Sequence, residues 1–236
     1  GARNTLVIGA TVGVIGIIVG TISLTGIGLK FSDLIISLSG GNLLIAIVLI
    51  ALAALILGMG VPVTASYLIV AVLAVPALHE LGVSLIAAHM IVYWFSQNSN
   101  VTPPVCVAAY AGAAIAGSDP WRTGWTALKF SKLLYVVPFL FAYEPAMVLH
   151  GSPQEIIMVY LAATIGTIAF SAWSMFFLLR KTTWLEWIVF GVGTYYCFTP
   201  DLTKDLLGIA LVALVIFNQY RKNKRDLKKM APFAAA

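Results

Sequence analysis

Two clusters of polar and helix-breaking residues interrupt apolar sequence near the middle of this chain. The first is Gly58-Met59-Gly60-Val61-Pro62, and the second is Asn98-Ser99-Asn100-Val101-Thr102-Pro103-Pro104. A chain in a bilayer must satisfy its backbone N–H and C=O groups internally, so such breaks persist only where protein buries them or where they line a cavity. Broken helices at membrane depth build the binding sites of secondary transporters. The pair of breaks therefore predicts a binding site in a membrane transporter.

The composition indicates the same class of protein. Hydrophobic residues make up 61% of the chain and charged residues 10%, with a mean hydropathy of +0.98, which predicts an all-α polytopic membrane protein. The net charge of +5 comes from the ends of apolar segments and a basic tail at 221–229, a pattern typical of cytoplasmic topology signals rather than nucleic-acid sites. Cys106 and Cys197 lie in apolar sequence without metal-type spacing and are predicted to be buried, reduced thiols.

The apolar segments divide the chain into three predicted domains. Residues 1–42 hold a transmembrane helix at 5–29 and a short interfacial amphipathic helix at 31–39. Residues 43–150 hold a re-entrant hairpin at 43–78, a broken helix at 84–116 and a transmembrane helix at 126–149. Residues 151–236 add transmembrane helices at 155–179, 184–198 and 205–220, followed by the basic tail. Because the chain starts without Met or a signal-peptide pattern, we expect it to be the C-terminal portion of a longer protein.

Positive charge predicts the orientation of these segments. If the tail is cytoplasmic, alternation of the crossings places the basic residues around 122–132 and 180–181 on the same side, as the positive-inside rule requires. The hairpin then enters and leaves the membrane from the outside.

The two breaks supply candidate ligands for a cation. Glycines allow unusual backbone geometry, and prolines leave nearby carbonyl groups without N–H partners, so backbone and hydroxyl oxygens become available. Hard cations are held by oxygen ligands, and because the region has no buried carboxylate, sodium is the predicted ion. The predicted ligands are Gly58, Gly60, Val61, Pro62, Thr64, Ser99, Asn100, Val101, Thr102 and Pro103. The predicted substrate contacts are Asn98, Ser99, Asn100 and Thr102.

Four other polar residues give weaker signals. His79, Glu80 and His89 lack the His-Glu-x-x-His spacing of a zinc site, so they are predicted not to bind metal. Glu144 is interpreted as an interfacial carboxylate beside a proline kink. No catalytic residues are predicted, because no nucleophile and base, and no set of metal ligands, have suitable spacing.

An ordered set of motifs resembles the large membrane subunit of tripartite ATP-independent periplasmic (TRAP) transporters, the DctM-like domain. The match is closest to fused permeases of the TAXI type. The motifs are Gly58-Met59-Gly60-Val61-Pro62-Val63-Thr64-Ala65, Pro76-Ala77-Leu78, Leu81-Gly82-Val83, Ala87-Ala88-His89, Val101-Thr102-Pro103-Pro104-Val105, Ala108-Ala109-Tyr110, Ala116-Gly117-Ser118-Asp119-Pro120, Arg122-Thr123-Gly124-Trp125, Pro138-Phe139 and Tyr143-Glu144-Pro145-Ala146.

The resemblance implies sodium-coupled import of small organic acids by an elevator motion. It implies that this chain carries the second of two inverted repeats, and that its partners are a periplasmic substrate-binding protein, the N-terminal half of the permease and a small membrane domain. Sodium would be the coupling ion, with no organic cofactor. The location would be a prokaryotic inner membrane with the C-terminus in the cytoplasm. The alternatives are another sodium- or proton-coupled dicarboxylate or citrate carrier, a structural membrane subunit, or a membrane-embedded enzyme.

Overall fold

The computed structural model describes residues 2–230, and it describes side chains between 6 and 224 except at positions 7, 8 and 11. Within these residues the regular structure is helical, apart from one isolated bridge between Phe177 and Lys181. The chain divides into two compact units, Gly1–Val148 and Leu149–Ala236. We refer to them as unit 1 and unit 2.

Unit 1 begins with two helices, as the sequence predicts, but they meet at a different residue. Helix α1 covers Ala2–Thr25 and α2 covers Ile27–Ser39, with a bend of 71° between them. Gly26 causes the break, because it adopts a left-handed conformation with φ of 69° that most side chains disfavour. The predicted boundary between a transmembrane helix at 5–29 and an interfacial helix at 31–39 is therefore wrong.

The next two helices form a hairpin. Helix α3 covers Leu43–Gly58, and the Asn42 side chain caps it by accepting a hydrogen bond from the Ile45 N–H at 3.2 Å. Helix α4 covers Val63–Glu80 and packs against α3. At 18 residues, α4 is about 27 Å long, which is enough to qualify as a candidate span by length and composition. It is thus longer than the half-length arm that the sequence predicts, and the re-entrant placement of the hairpin stays a prediction.

The second half of unit 1 contains two interrupted helices. Helix α5 covers Leu85–Asn98 and α6 covers Val107–Ala116, with the expected break between them. Helix α7 covers Pro120–Phe130 and α8 covers Leu133–Tyr143.

The predicted single helix at 126–149 is therefore wrong in two respects. The helical segment starts earlier, where Asp119 caps α7 by accepting from the Arg122 N–H at 2.7 Å. It is also interrupted at Ser131 and Lys132 before α8 begins, and a short 3₁₀ turn at Pro145–Val148 follows it.

The core of unit 1 holds the hairpin against the first arm of the broken helix. Helix α4 packs on α1, α2, α3 and α5, while α5 also packs on α3 and α8. Fully buried apolar side chains from these helices form one continuous cluster, which includes Ile47, Ile50, Val70, Leu78, Ile91 and Phe95. Because α3, α4, α5 and α8 share this cluster, the hairpin tip and the break in α5–α6 are attached to the same packed body.

Unit 2 consists of three mutually packed helices, α9 (Pro153–Met175), α10 (Trp184–Cys197) and α11 (Leu202–Met230). Helix α9 starts with a capping box formed by Ser152 and Glu155. At 14 residues, α10 is about 21 Å long, which is short for the transmembrane crossing predicted at 184–198.

A buried carboxylate joins α10 to α11 in unit 2. Glu186 accepts hydrogen bonds from the Thr183 N–H and from the Gln219 side chain, both at 3.0 Å, and forms an ion pair with Lys222 at 3.3 Å. The buried charge is therefore fully partnered, as a polar group in an apolar bundle must be.

By length and composition, the described residues include four helical segments able to cross a membrane, or five if the bent α1–α2 pair counts as one span. The chain is thus a multi-pass membrane protein. Cys106 and Cys197 are both buried and free, which confirms the prediction made for them. The inverted repeat and the orientation in the membrane stay predictions.

Candidate ion and substrate site

The tip of the α3–α4 hairpin is a tight turn built on glycine. Gly60 has a φ of 78°, which glycine adopts without steric cost. The Val61 N–H donates to the Gly58 carbonyl at 3.4 Å. Pro62 then precedes α4 and provides no side-chain cap, so the N–H groups of the first turn of α4 lack one of their usual partners.

The break between α5 and α6 is a compact turn rather than an extended loop. The Asn100 N–H donates to the Gln97 carbonyl at 3.1 Å, and the Val101 N–H donates to the Asn98 carbonyl at 3.2 Å. The Thr102 hydroxyl donates to the same Asn98 carbonyl at 2.5 Å. Pro103 and Pro104 follow, joined by a cis peptide bond. The N–H groups of Asn100 and Val101 and the Asn98 carbonyl are therefore satisfied within the turn itself.

The two breaks meet at Gly58. A Cβ atom at Gly58 would lie 2.6 Å from the Ser66 hydroxyl oxygen and 2.7 Å from the Ser99 hydroxyl oxygen. Ser66 is fully buried and Ser99 is 3% exposed. Only a residue without a side chain allows the hairpin and the broken helix to approach so closely. The close approach therefore places buried hydroxyl groups from both elements against the Gly58 backbone.

Three buried polar atoms on these two elements have no hydrogen-bond partner in the described part of the chain. They are the Ser66 hydroxyl oxygen, the Asn98 side-chain oxygen and the Asn100 side-chain nitrogen. Leaving such a group unsatisfied costs about 1–3 kcal/mol, so buried polar groups are normally paired. The two oxygens are ligands of the type that a hard cation prefers, while the Asn100 nitrogen is a donor and suits an acceptor atom of a substrate.

A third interruption, between α7 and α8, lies against the same turn. The Asn98 side-chain nitrogen donates to the Leu134 carbonyl at 3.4 Å. The Thr102 hydroxyl is hydrogen-bonded to the Tyr135 hydroxyl, and because Thr102 donates to Asn98, Tyr135 is the donor in this pair. The start of α8 therefore holds Asn98 and Thr102 in place.

The predicted ligands divide into buried and open positions. Gly58 and Ser99 lie together at the contact between the breaks, whereas Gly60, Pro62 and Thr64 are exposed. Half-buried positions are Val61, Asn100, Val101, Thr102 and Pro103. The Thr102 hydroxyl is already bonded to the Asn98 carbonyl and the Tyr135 hydroxyl, and these two hydrogen bonds stabilise the turn. Asn98 is fully buried and links two helices through its bond to Leu134, and its assignment as a substrate contact stays a prediction.

Two residues that the structure places at this site were missed by the sequence analysis. Ser66 is a serine in an apolar helix, four residues after Pro62, and that position one turn from the hairpin tip is a signal that could have identified it. Tyr135 comes from a segment 33 residues beyond Thr102, so its role depends on tertiary packing.

Thr64 lines a separate open cavity of about 600 Å³ between α4 and α5. Its other walls include Tyr67, His89, Tyr93 and Gln97. The Tyr67 hydroxyl lies 3.0 Å from the His89 Nδ1 atom, so this histidine is paired with a tyrosine. Among the residues that the structure describes, no three His, Cys, Asp or Glu side chains converge on a possible metal position. A cation at the meeting point of the breaks would thus be held by neutral oxygens.

Comparison with known proteins gives one match. The family described as the tripartite ATP-independent periplasmic transporter, DctM component, matches residues 1–156. No curated protein and no solved structure matches the chain. The matched region contains the hairpin, all three breaks and the cavity beside them. The chain belongs to the DctM family, the large membrane permeases of TRAP transporters.

Proposed function

We propose that this chain is the permease component of a sodium-coupled, binding-protein-dependent transporter that imports small organic acids by an elevator motion. The family supplies the coarser part of this statement, a TRAP transporter permease and not an enzyme. The observation that carries the finer part is the contact of Gly58 with Ser66 and Ser99, on two elements that also hold the unpartnered buried oxygens of Ser66 and Asn98. Such a group of atoms is costly unless a ligand completes it.

The chemistry of these atoms supports sodium as the coupling ion. The hydroxyl oxygen of Ser66 and the amide oxygen of Asn98 are neutral, as are the backbone carbonyl groups of the hairpin tip. A divalent cation would favour carboxylate ligands, and coupling to protons would require a group that titrates. The contact between the two breaks contains neither kind of side chain, whereas neutral oxygens suit a monovalent hard cation.

An ion at this position would connect binding to movement. The hairpin tip comes from α3–α4 and the opposing turn from α5–α6, so a cation held by both would favour the closed arrangement of the tip. A ligand shifts a conformational equilibrium by its difference in affinity for the two states. Since the hairpin and α5 share one buried cluster, we propose that this closed body moves as the transport domain of the elevator.

The proposed partners follow from the family. TRAP permeases of the DctM type generally work with a substrate-binding protein and a small membrane subunit. We propose both for this chain, and we propose that α9, α10 and α11, most of which lie beyond the matched residues, correspond to the C-terminal extension of fused TAXI-type permeases. The basic residues that follow the apolar part of α11 favour a cytoplasmic C-terminus.

Sodium-driven uptake in proteoliposomes tests the proposal. The full-length permease and its binding protein would be reconstituted, and uptake of radiolabelled organic acids would be compared between sodium and potassium media for wild type, Ser66→Ala and Ser37→Ala. Ser66→Ala removes a hydroxyl that has no protein partner, so the fold keeps its hydrogen bonds. Ser37 is an exposed serine of the same unit and serves as the matched control.

We expect uptake to require sodium, and we expect Ser66→Ala to raise the sodium concentration needed for half-maximal uptake by about tenfold, the loss of one ion ligand. Ser37→Ala should behave as wild type. Equal uptake in potassium would contradict sodium coupling. Unchanged sodium dependence in Ser66→Ala would show that the ion does not bind where the two breaks meet.

A further inference from the structure

The open cavity between α4 and α5 has the size and lining of a small-molecule site. Its volume is about 600 Å³, within the range of about 300–1,000 Å³ that is usual for ligand pockets. Helix α4 contributes Val63, Thr64 and Tyr67, and α5 contributes His89, Met90, Tyr93 and Gln97. We call this cavity the α4–α5 groove.

The two ends of the α4–α5 groove differ in chemistry. Because α4 and α5 are consecutive antiparallel helices, Thr64 at the start of α4 lies at the same end as Gln97 at the end of α5. This end adjoins both breaks, since Thr64 follows Pro62 and Gln97 precedes Asn98. It offers a hydroxyl group and an amide group, both of which can donate to the oxygen atoms of a ligand.

Aromatic and apolar side chains form the remainder of the α4–α5 groove. The Tyr67 and Tyr93 rings pack edge to face, with centroids 5.9 Å apart, and Met90 lies on the same wall. The hydrogen bond between Tyr67 and His89 fixes the Tyr67 hydroxyl. Two rings held in this way present a rigid apolar surface, and aromatic side chains favour further ring contacts.

We propose that the α4–α5 groove binds the apolar body of an organic acid, with the carboxylate at the end formed by Thr64 and Gln97. This inference rests on the proposed function, and it names the substrate class as carboxylates with an aromatic or hydrocarbon body. The lining contains no carboxylate, so an anionic ligand meets no repulsion there. A sodium ion at the adjoining breaks would supply the positive charge that faces the carboxylate group.

The same lining argues against sugar acids and other polyhydroxylated substrates. Each ligand hydroxyl placed over Met90 or the tyrosine ring faces would lose its hydrogen bonds to water without a replacement. An apolar body placed there loses only contact with water, which is favourable. The α4–α5 groove therefore discriminates by the substrate body, while the carboxylate end is common to all organic acids.

Direct binding to the full-length permease in lipid nanodiscs tests the proposal. The probes are 3-phenylpropionate, as an aromatic monocarboxylate, and gluconate, as a polyhydroxylated one, each titrated calorimetrically in sodium chloride and in choline chloride. The variants are Tyr93→Ala in the α4–α5 groove and Tyr195→Ala in unit 2, which are 45% and 65% exposed in the wild type. Because both side chains are exposed, neither substitution creates a cavity in the core.

We expect 3-phenylpropionate to bind and gluconate not to bind. Tyr93→Ala should weaken the binding of 3-phenylpropionate by about fivefold, as removal of one aromatic contact does, and Tyr195→Ala should change it by less than about twofold. Equal effects of the two substitutions, or tighter binding of gluconate, would overturn the proposal.

The substitution Tyr93→Cys tests whether another protein segment occupies the α4–α5 groove. Cys106 and Cys197 are buried, so once any cysteine outside this chain is replaced by serine, a small thiol reagent should modify Tyr93→Cys selectively. Binding of 3-phenylpropionate should slow the reaction. If Tyr93→Cys does not react in the full-length permease, another protein segment covers the α4–α5 groove and the proposal is wrong.

The comparison between sodium chloride and choline chloride separates this proposal from the proposed function. Binding of 3-phenylpropionate that depends on Tyr93 but is equal in choline would support the α4–α5 groove and contradict sodium coupling. A sodium-dependent uptake that is impaired in Ser66→Ala, together with absence of 3-phenylpropionate binding, would support the proposed function and overturn the groove as its substrate site.

Discussion

Substitution of Gly58 by alanine tests the close contact between the two breaks. The new Cβ would lie 2.6 Å from the Ser66 hydroxyl oxygen, 2.7 Å from the Ser99 hydroxyl oxygen and 3.0 Å from the Ser99 Cβ. The first of these distances falls about 0.8 Å short of ordinary van der Waals contact. Serine side chains are short, so the hairpin tip or the turn must move to relieve the overlap. Such overpacking costs about 1–3 kcal/mol of unfolding free energy.

Gly112 provides a matched control for the same substitution. It lies within α6, and a Cβ there would have no atom within 4 Å. Gly112→Ala is therefore expected to stabilise the helix by about 0.5–1 kcal/mol, because alanine loses less backbone entropy than glycine on folding. The unfolding free energies of the two variants should thus differ by about 1.5–4 kcal/mol, with Gly58→Ala less stable and Gly112→Ala more stable than the wild type.

The assay is thermal unfolding of the purified permease in nanodiscs, followed by intrinsic tryptophan fluorescence. We expect the apparent midpoint of Gly58→Ala to fall at least about 3 °C below that of Gly112→Ala. In a Ser66→Ala background the cost of Gly58→Ala should shrink, because the shortest contact is absent; a double-mutant cycle measures this coupling. If Gly58→Ala is as stable as Gly112→Ala, the hairpin tip does not pack against the broken helix as described here.

Three further substitutions test other contacts. Tyr135→Phe removes the hydroxyl that donates to Thr102 and should raise the sodium concentration for half-maximal uptake by about two- to tenfold. The control Tyr195→Phe should leave this concentration unchanged. Equal behaviour of the two variants would exclude a positioning role for Tyr135. Gln219→Leu removes the donor to Glu186 and the acceptor for the Leu179 N–H, and it should lower the unfolding free energy by about 1–3 kcal/mol. The control is Asn218→Leu, at a neighbouring exposed position. A smaller loss in Gln219→Leu than in the control would contradict the hydrogen-bond network around Glu186. Hydrogen bonds from Thr203 hold the pKa of Asp201 below its usual value. Because the folded state then binds fewer protons than the unfolded state, Asp201 stabilises the fold at pH values above the usual carboxyl pKa. This stabilisation is lost as the pH falls through the lowered pKa. Asp201→Asn should flatten the decline of the apparent melting temperature between about pH 5 and pH 3, and an unchanged profile would show that Asp201 does not contribute.

Local sequence predicted much of the secondary structure. The tip at Gly58–Pro62 and the turn at Asn98–Pro104 lie where glycine and proline prevent a helix from continuing. Glycine and proline act on the backbone of their own residue and its neighbours, so these breaks are local effects. The start of α5 at Leu85 likewise follows a local cap, since the Ser84 hydroxyl accepts from the Ala87 N–H at 3.4 Å. The bend at Gly26 was missed because glycine is also common in transmembrane helices, so its presence alone does not end one.

The candidate site was predictable only in part. Gly58 and Ser99 stand out as helix-breaking or polar residues in apolar sequence, and the structure brings them together. Thr64 has the same chemistry but faces the α4–α5 groove, a difference that depends on the rotation of α4. The assignment of sodium and substrate ligands stays a prediction, for which the experiments above provide the tests.

The sequence by itself determined the class of protein, the position of two breaks and the family. These features depend on composition and on residues that are neighbours in the chain. Only the tertiary structure decided that Ser66 is a buried, unpartnered hydroxyl at Gly58 and that Tyr135 holds Thr102. The physical reason is that these contacts join different helices, and helix packing, rather than local preference, sets which polar atoms remain without a partner.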